Sequence, residues 1–173
     1  MENNMQEHGM YFGKQDYYDT IRMNGGTWND SKERPLVCLM KSIENEHLYW
    51  AIPVGNWSHR TKEAQDRIKK YLSFDTSDIR SCFYHLGSTD KQSIFFISDV
   101  IPITDKYIER EYIGRHTNQL YVIKNKTLLS ELKRKLSRIL SWENVHKNSF
   151  RQHITDLKTY LLMELEHDTE STH

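Results

Sequence analysis

The sequence has few of the features that mark the common functional classes. Its 173 residues include only two cysteines, Cys38 and Cys82. Two cysteines are too few for a disulfide scaffold or for a zinc site of their own, so we predict buried free thiols. No apolar run is long enough to cross a bilayer, and residues 1–9 lack the apolar core of a signal peptide. These absences predict a cytoplasmic protein that spans no membrane.

The chain also lacks a net charge, because 24 Lys and Arg balance 24 Asp and Glu. Neutrality argues against a generic basic nucleic-acid arm and against an acidic solvating tail. The charges are nevertheless uneven. Residues 126–147 carry six basic and two acidic side chains, a net +4, whereas residues 148–173 carry two basic and five acidic, a net −3. The net charge of zero therefore results from basic and acidic segments that cancel, and it is compatible with a local basic surface.

Several catalytic motifs are missing as well. The sequence contains no P-loop, no Gly-rich dinucleotide fingerprint, no G-x-S-x-G elbow and no H-E-x-x-H pair. Its nine histidines are scattered without the spacing of metal ligands. We therefore expect neither a metal site nor a cofactor.

Hydrophobic patterning predicts an α+β fold. Strands are indicated over residues 36–40, 47–54, 81–86 and 93–100, the first two as a hairpin. Residues 1–10 are expected to be a frayed end. Apolar residues at a helical period predict helices over residues 16–21, 63–72, 128–140 and 150–165, and Asn148 or Ser149 is the expected N-cap of the last. We expect one domain over residues 1–173, with a mainly β core at 11–125 and a C-terminal helical pair at 126–166 packed against it.

The first C-terminal helix is the most basic part of the chain. Arg134, Lys135 and Arg138 are predicted to share much of the face opposite its leucines, and Lys124 and Lys126 extend the charge at its start. This face is either an ordinary solvated surface or a surface that tracks RNA phosphates. The second interpretation predicts salt-sensitive RNA binding centred on this helix, with the acidic tail lying away from it.

A polar segment, residues 55–62, follows the second strand of the hairpin. Metal-independent RNA cleavage needs a group that activates the 2′-hydroxyl, a cation that stabilises the pentacovalent phosphate and an acid for the leaving oxygen. The segment contains side chains suited to these tasks, namely Asn56, Ser58, His59, Arg60 and Lys62. The alternative is that Ser58 or Thr61 only caps the following helix.

Other residues have two interpretations each. Trp28, Trp57 and Tyr121 would stack RNA bases if they were exposed, and otherwise they belong to the packing. His85 is either a second acid–base group or a half-buried structural histidine.

The order of these elements resembles a known family. The first part of this order is a strand pair, Arg34–Leu39 and Tyr49–Val54, with a turn between the strands and a polar loop after them. The later part is the segment Asp99–Ile103 and two Leu-rich helices joined through Trp142–Asn144. This order is similar to that of the toxins of type III toxin–antitoxin systems, the ToxN, AbiQ, CptN and TenpN endoribonucleases. The resemblance runs over residues 11–165 by order of elements.

The resemblance implies a small SH3-like, partly open antiparallel barrel with packed C-terminal helices. It implies a metal-independent endoribonuclease without a cofactor, which leaves a 2′,3′-cyclic phosphate. The implied partners are substrate RNA and a small structured RNA antitoxin bound in a basic groove, with the option of an RNA-mediated oligomer. The implied biology is growth arrest or defence against phage.

The resemblance also implies which residues act. Catalytic groups come from the polar loop, and a tyrosine near the N-terminus lines the site, which Tyr18 or Tyr17 would match. The loop departs from the family pattern, because residues 55–58 read Gly-Asn-Trp-Ser where the family often has a Thr-Ser-x-Lys-like sequence. Ser58, His59, Arg60 or Lys62 would then substitute.

Two other functions remain open. One is a non-catalytic RNA-binding or protein-interaction module that uses the same basic helix. The other is a ribonuclease of the MazF/PemK class that is controlled by a protein antitoxin.

Overall fold

Seven antiparallel strands form one open sheet in the computed structural model, which describes residues 5–29 and 31–171. The strands are β1 (Met10–Gly13), β2 (Leu36–Lys41), β3 (Leu48–Asn56), β4 (Tyr84–Ser88), β5 (Gln92–Phe96), β6 (Ile101–Thr104) and β7 (Ile108–Glu111). The helices are α1 (Gln15–Met23), α2 (Lys62–Leu72), α3 (Lys126–Val145) and α4 (Ile154–Ser171). The order along the sheet is β4-β5-β3-β2-β1-β7, and β6 also pairs with β3. The predicted α+β class is confirmed.

The sheet is covered on both faces, which explains its apolar strands. Along β2, Val37 and Leu39 pack in one cluster with Leu132 and Leu136 of α3. The alternate β2 residues pack in a second cluster with side chains of α1 and α4. Successive strand residues point to opposite faces, so a strand that is buried on both faces needs a continuous apolar run. The hairpin is predictable from the sequence for this reason.

Strand β3 changes partners along its length. Its first half pairs with β6, with Leu48 opposite Thr104, and its end pairs with β5, with Val54 opposite Phe95. The predicted hairpin with β2 is confirmed, with Leu36 opposite Pro53. The end of β3 therefore delivers the polar segment 55–62 beside the β4–β5 hairpin.

Two predicted strands were wrong in extent. The first two residues of the predicted strand 81–86 belong instead to a 3-10 turn, Ile79–Cys82, in which the side chain of Asp78 accepts a hydrogen bond from the Arg80 amide. Ile97–Asp99 is a second 3-10 turn, and it divides the predicted strand 93–100 from the separate strand β6. A local cap thus competes with the strand pattern at the first of these places.

The two C-terminal helices form as predicted, but the second begins later. Asn148 and His153 have φ angles of 59° and 50°. These left-handed conformations interrupt a right-handed helix, so α4 starts at Ile154. Asn148 nevertheless satisfies the first turn of α4 from outside, because its Oδ1 accepts a hydrogen bond from the Asp156 amide at 3.1 Å.

The N-terminal segment is more ordered than a frayed end. Met5 is buried and Met10 belongs to β1, whereas residues 1–4, like residues 30, 172 and 173, lie outside the described part of the chain. Both cysteines are buried free thiols, as predicted, and burial raises the pKa of the Cys38 thiol to about 12. Among the described helices, none has the length and apolar character needed to span a membrane.

Candidate functional site

The polar loop after β3 is held by its own hydrogen bonds. The Oδ1 atom of Asn56 accepts hydrogen bonds from the Ser58 amide (3.0 Å) and from the Ser58 hydroxyl (2.8 Å). The Nδ2 atom of Asn56 lies 3.4 Å from Nε2 of His59. Thr61 caps α2 by accepting from the Ala64 amide, as one interpretation of the sequence predicted. Ser58 and His59 are therefore exposed but fixed in place by Asn56.

Arg60 leaves this loop and turns into a cleft beside the sheet. Its Nε donates to the Asn56 carbonyl at 3.5 Å, and its guanidinium carbon lies 5.5 Å from the centroid of the Phe96 ring. Arg34 precedes Pro35 at the start of the hairpin, and its guanidinium carbon lies 4.6 Å from the same centroid. Two cations thus meet at one aromatic ring.

The cleft carries an excess of positive charge. Among the described residues that line it, five are basic (Lys32, Arg34, Arg60, Arg67 and Arg151) and one is acidic, Asp99. Asp99 is already paired, because both of its oxygens accept from the Arg151 guanidinium. Burial lowers the pKa of the Arg34 guanidinium, and the nearby charges of Arg60 and Arg151 lower it further. An anion in the cleft would relieve this repulsion.

The cleft is also large and aromatic. Its volume is about 860 Å³, within the range of small-molecule sites. Rings from several elements line it, namely Trp28, Tyr71, Phe83, Tyr84, Phe96, Trp142 and Phe150. Cations combined with aromatic surfaces are what a single-stranded nucleic acid requires. The cleft can therefore bind a ligand that is both anionic and aromatic.

The structure brings only part of the predicted catalytic set to the cleft. Arg60 lines it, whereas Asn56, Ser58 and His59 lie next to Arg60 in the chain but do not line it. Lys62 is exposed on the first turn of α2 and also lies outside the lining.

The two candidate tyrosines are both buried in α1. Tyr18 stacks on Trp28, with ring centroids 5.4 Å apart and planes 7° apart. Because Trp28 lines the cleft, Tyr18 lies directly behind a residue of the lining and does not line the cleft itself. The Tyr17 hydroxyl donates to the Pro102 carbonyl, and burial raises the pKa of Tyr17 well above its usual value.

The basic helix is arranged differently from the prediction. Lys135 is buried, and its Nζ donates to the Tyr84 carbonyl at 2.8 Å, so its placement on the outward face was wrong. Arg138 donates to the carbonyls of Thr76 and Ser77, and therefore fastens a loop.

The other residues of this region that were predicted to bind RNA are exposed. Arg134 is exposed and pairs with Glu131 at 2.9 Å. Lys124 and Lys126 are exposed at the start of α3 and lie outside the cleft lining. Of the acidic side chains of α4, Glu164 pairs with Lys106 after β6, whereas Glu166 lines a second pocket together with Lys147, which follows α3.

The other candidates are mostly structural. Trp57 is half-buried, and its carbonyl accepts from Gln65. Tyr121 is half-buried and packs edge-on to Tyr112. Burial and the charge of Lys135 lower the pKa of His85 to about 4, so His85 is a neutral, half-buried imidazole at neutral pH.

Sequence reasoning missed several residues of the cleft. Arg34 could have been found from the hairpin register, because pairing Leu36 with Pro53 places residue 34 beside the end of β3. Arg151 and Trp142 carry no such signal, because they reach the cleft only through the packing of α3 and of the connection that follows it.

The described part of the chain brings no three His, Cys, Asp or Glu side chains into an arrangement that could hold a metal ion. Comparison with protein-family models and with curated proteins finds no match to this sequence.

Proposed function

We propose that the protein is a metal-independent endoribonuclease toxin that binds RNA in the arginine-rich cleft. One observation carries the proposal: Arg60 joins the polar loop to the cleft. Its neighbours Ser58 and His59 are exposed on one side, and its guanidinium meets Arg34 at Phe96 on the other. Groups suited to acid–base chemistry and a cation suited to binding phosphate therefore belong to one short stretch of chain.

The proposed reaction uses this arrangement directly. His59 accepts the proton of the 2′-hydroxyl, whose oxygen attacks the adjacent phosphorus. The guanidinium groups of Arg60 and Arg34 stabilise the negative charge of the pentacovalent phosphate. The bond to the 5′-oxygen then breaks, and Lys62 donates the proton that this oxygen takes. The products are a 2′,3′-cyclic phosphate and a free 5′-hydroxyl.

Several parts of the proposal come from the family resemblance. They are the SH3-like, partly open barrel, inhibition by a small structured RNA antitoxin, an RNA-mediated oligomer and a role against phage. The cytoplasmic location belongs to the same proposal. The excess of cations in the cleft supports an anionic partner such as RNA.

The test is an RNA-cleavage assay with the purified chain in excess EDTA. We expect fragments that end in a 2′,3′-cyclic phosphate. Replacing His59 by Ala should abolish cleavage while RNA binding persists, and Arg60→Ala should reduce both. Arg115→Ala is the matched control, because Arg115 is exposed and lies outside the cleft lining. Absence of cleavage by the unaltered protein, or full cleavage by His59→Ala, contradicts the proposal.

A second function has an observation in its favour. Neither Ser58 nor His59 lines the cleft, which itself contains all that RNA binding requires. A non-catalytic RNA-binding module would account for this. The same assay separates the two functions: the module binds RNA tightly, binds more weakly in Arg60→Ala and cleaves nothing.

A further inference from the structure

One aromatic side chain of the cleft is unusually exposed. Trp142, near the C-terminal end of α3, lines the cleft and keeps 40% of its surface exposed. By comparison, Trp28 and Trp50 keep 8% and 7%. Every other Phe, Tyr and Trp side chain in the described ranges, 5–29 and 31–171, is buried or half-buried. A large apolar surface left in water at a cleft commonly marks a place where a ligand binds.

The Trp142 indole is supported by its own helix. The His146 imidazole lies against it, with ring centroids 4.4 Å apart, one helical turn further along the chain. Even with this contact the indole stays partly open to solvent. A flat aromatic group held by a helix is a rigid surface on which another ring can stack.

The charges around the cleft restrict the kind of ligand whose ring could stack on Trp142. Arg67 and Arg151 line the same cleft as Trp142, and the single acid of its described lining, Asp99, is paired with Arg151. A ligand that complements them has aromatic groups and repeated negative charges. Single-stranded RNA has both, whereas the bases of a duplex are paired and covered.

We infer that Trp142 is a base-stacking platform for single-stranded RNA, with a base on the indole and the adjoining phosphates at Arg151 and the other cations of the cleft. This rests on the proposed function only in taking RNA as the ligand. It needs no cleavage step, and it gives the rim of the cleft a role separate from that of the polar loop.

The test measures binding of a short 2′-O-methyl oligonucleotide, which lacks the attacking hydroxyl and stays intact. Trp142→Ala should weaken binding about 5- to 150-fold, the usual effect of removing one base-stacking ring. Trp142→Phe should retain most of the affinity. The slope of affinity against salt should not change, because every phosphate-binding cation is still present.

Two matched controls make the test specific. An abasic oligonucleotide of the same length should bind the unaltered protein and Trp142→Ala equally. Val145→Ala removes another exposed apolar side chain of α3, one outside the cleft lining, and should bind like the unaltered protein. Circular dichroism checks that each variant is folded.

The outcomes separate this inference from the proposed function. Equal weakening for the normal and abasic oligonucleotides, or no weakening for either, overturns the stacking platform even if the protein cleaves RNA. Weakening confined to the oligonucleotide with bases supports the platform even if no cleavage is found.

Discussion

Arg34 and Arg60 approach the same phenyl ring, with guanidinium carbons 4.6 Å and 5.5 Å from the centroid of Phe96. They flank the β2–β3 hairpin, with Arg34 shortly before β2 and Arg60 shortly after β3. Burial penalises the charged form of Arg34, and repulsion from the like charge of Arg60 adds to this penalty. The ring offsets part of this through cation–π attraction, and a bound phosphate would offset more.

The first prediction concerns these two arginines. Arg34→Ala and Arg60→Ala should each weaken binding of a non-cleavable single-stranded RNA, because each removes a cation that neutralises a phosphate. The slope of log affinity against log salt should become shallower by about 0.7 for each phosphate that is no longer neutralised. Fluorescence anisotropy over a series of salt concentrations measures this.

Arg115→Ala is the control for general charge, since Arg115 lies outside the cleft lining. Arg34→Lys adds a second test, because lysine keeps the charge but lacks the planar group that stacks on the ring. An unchanged salt slope in both alanine variants would show that RNA does not lie at Phe96.

The second prediction separates two neighbours on α3. Lys135→Ala should lower the free energy of unfolding by about 1–3 kcal/mol, because it leaves the part-buried Tyr84 carbonyl without this donor. Arg134→Ala should change stability by less than about 1 kcal/mol, since its pair with Glu131 is exposed. Urea denaturation compares the two. Equal stability of both variants would mean that Lys135 is not buried in solution.

Lys135 also shows where sequence reasoning fails. The leucine period correctly predicts helix α3, but the face opposite the leucines was predicted to include Lys135. Its position argues otherwise: Lys135 is two full turns from Leu128, so it falls on the same face. The long side chain buries its stem while the ammonium reaches a carbonyl.

The candidate site was less predictable than the fold. The hydrophobic pattern predicts strands and helices because each depends on residues that are close together in the sequence. The polar loop can be recognised in the same way, because its residues are contiguous. The cleft instead joins Arg34, Arg60 and Arg151, which are brought together by sheet register and helix packing. Of these contacts, only the approach of Arg34 to Arg60 could be inferred from the sequence, through the predicted pairing of β2 with β3.

The third prediction concerns pH. Burial and Lys135 lower the pKa of His85 to about 4 in the folded protein, whereas an unfolded histidine titrates near 6.5. Between these values the unfolded state binds more protons, so stability falls as the pH drops from about 6.5 towards 4. His85→Gln removes this component, and its unfolding free energy should depend less on pH in that window.

Urea titrations at several pH values across the window measure this difference. His116→Gln is the control, because the His116 side chain is exposed. If the stability of His85→Gln and that of the unaltered protein fall in parallel, His85 is not the group that responds.

The fourth prediction concerns Glu143, a buried carboxylate that holds the connection between α3 and α4. Its Oε2 accepts hydrogen bonds from the Asn148 amide at 2.5 Å and from the Thr155 hydroxyl at 2.6 Å. Glu143→Ala leaves both donors without this partner and should destabilise the fold by about 1–3 kcal/mol. Asn144→Ala, at the neighbouring exposed position, should change stability little.

This substitution should also weaken RNA binding without touching the cleft. The connection that Glu143 anchors carries Phe150 and Arg151, which line the cleft. Loosening it lets Arg151 move away from the position that Asp99 gives it, so affinity should fall while Arg34 and Arg60 stay in place. Because the interaction of Arg151 with phosphate weakens, the salt slope should become shallower in Glu143→Ala and stay unchanged in Asn144→Ala. A stable Glu143→Ala variant with normal affinity would mean that the connection is held by its other contacts.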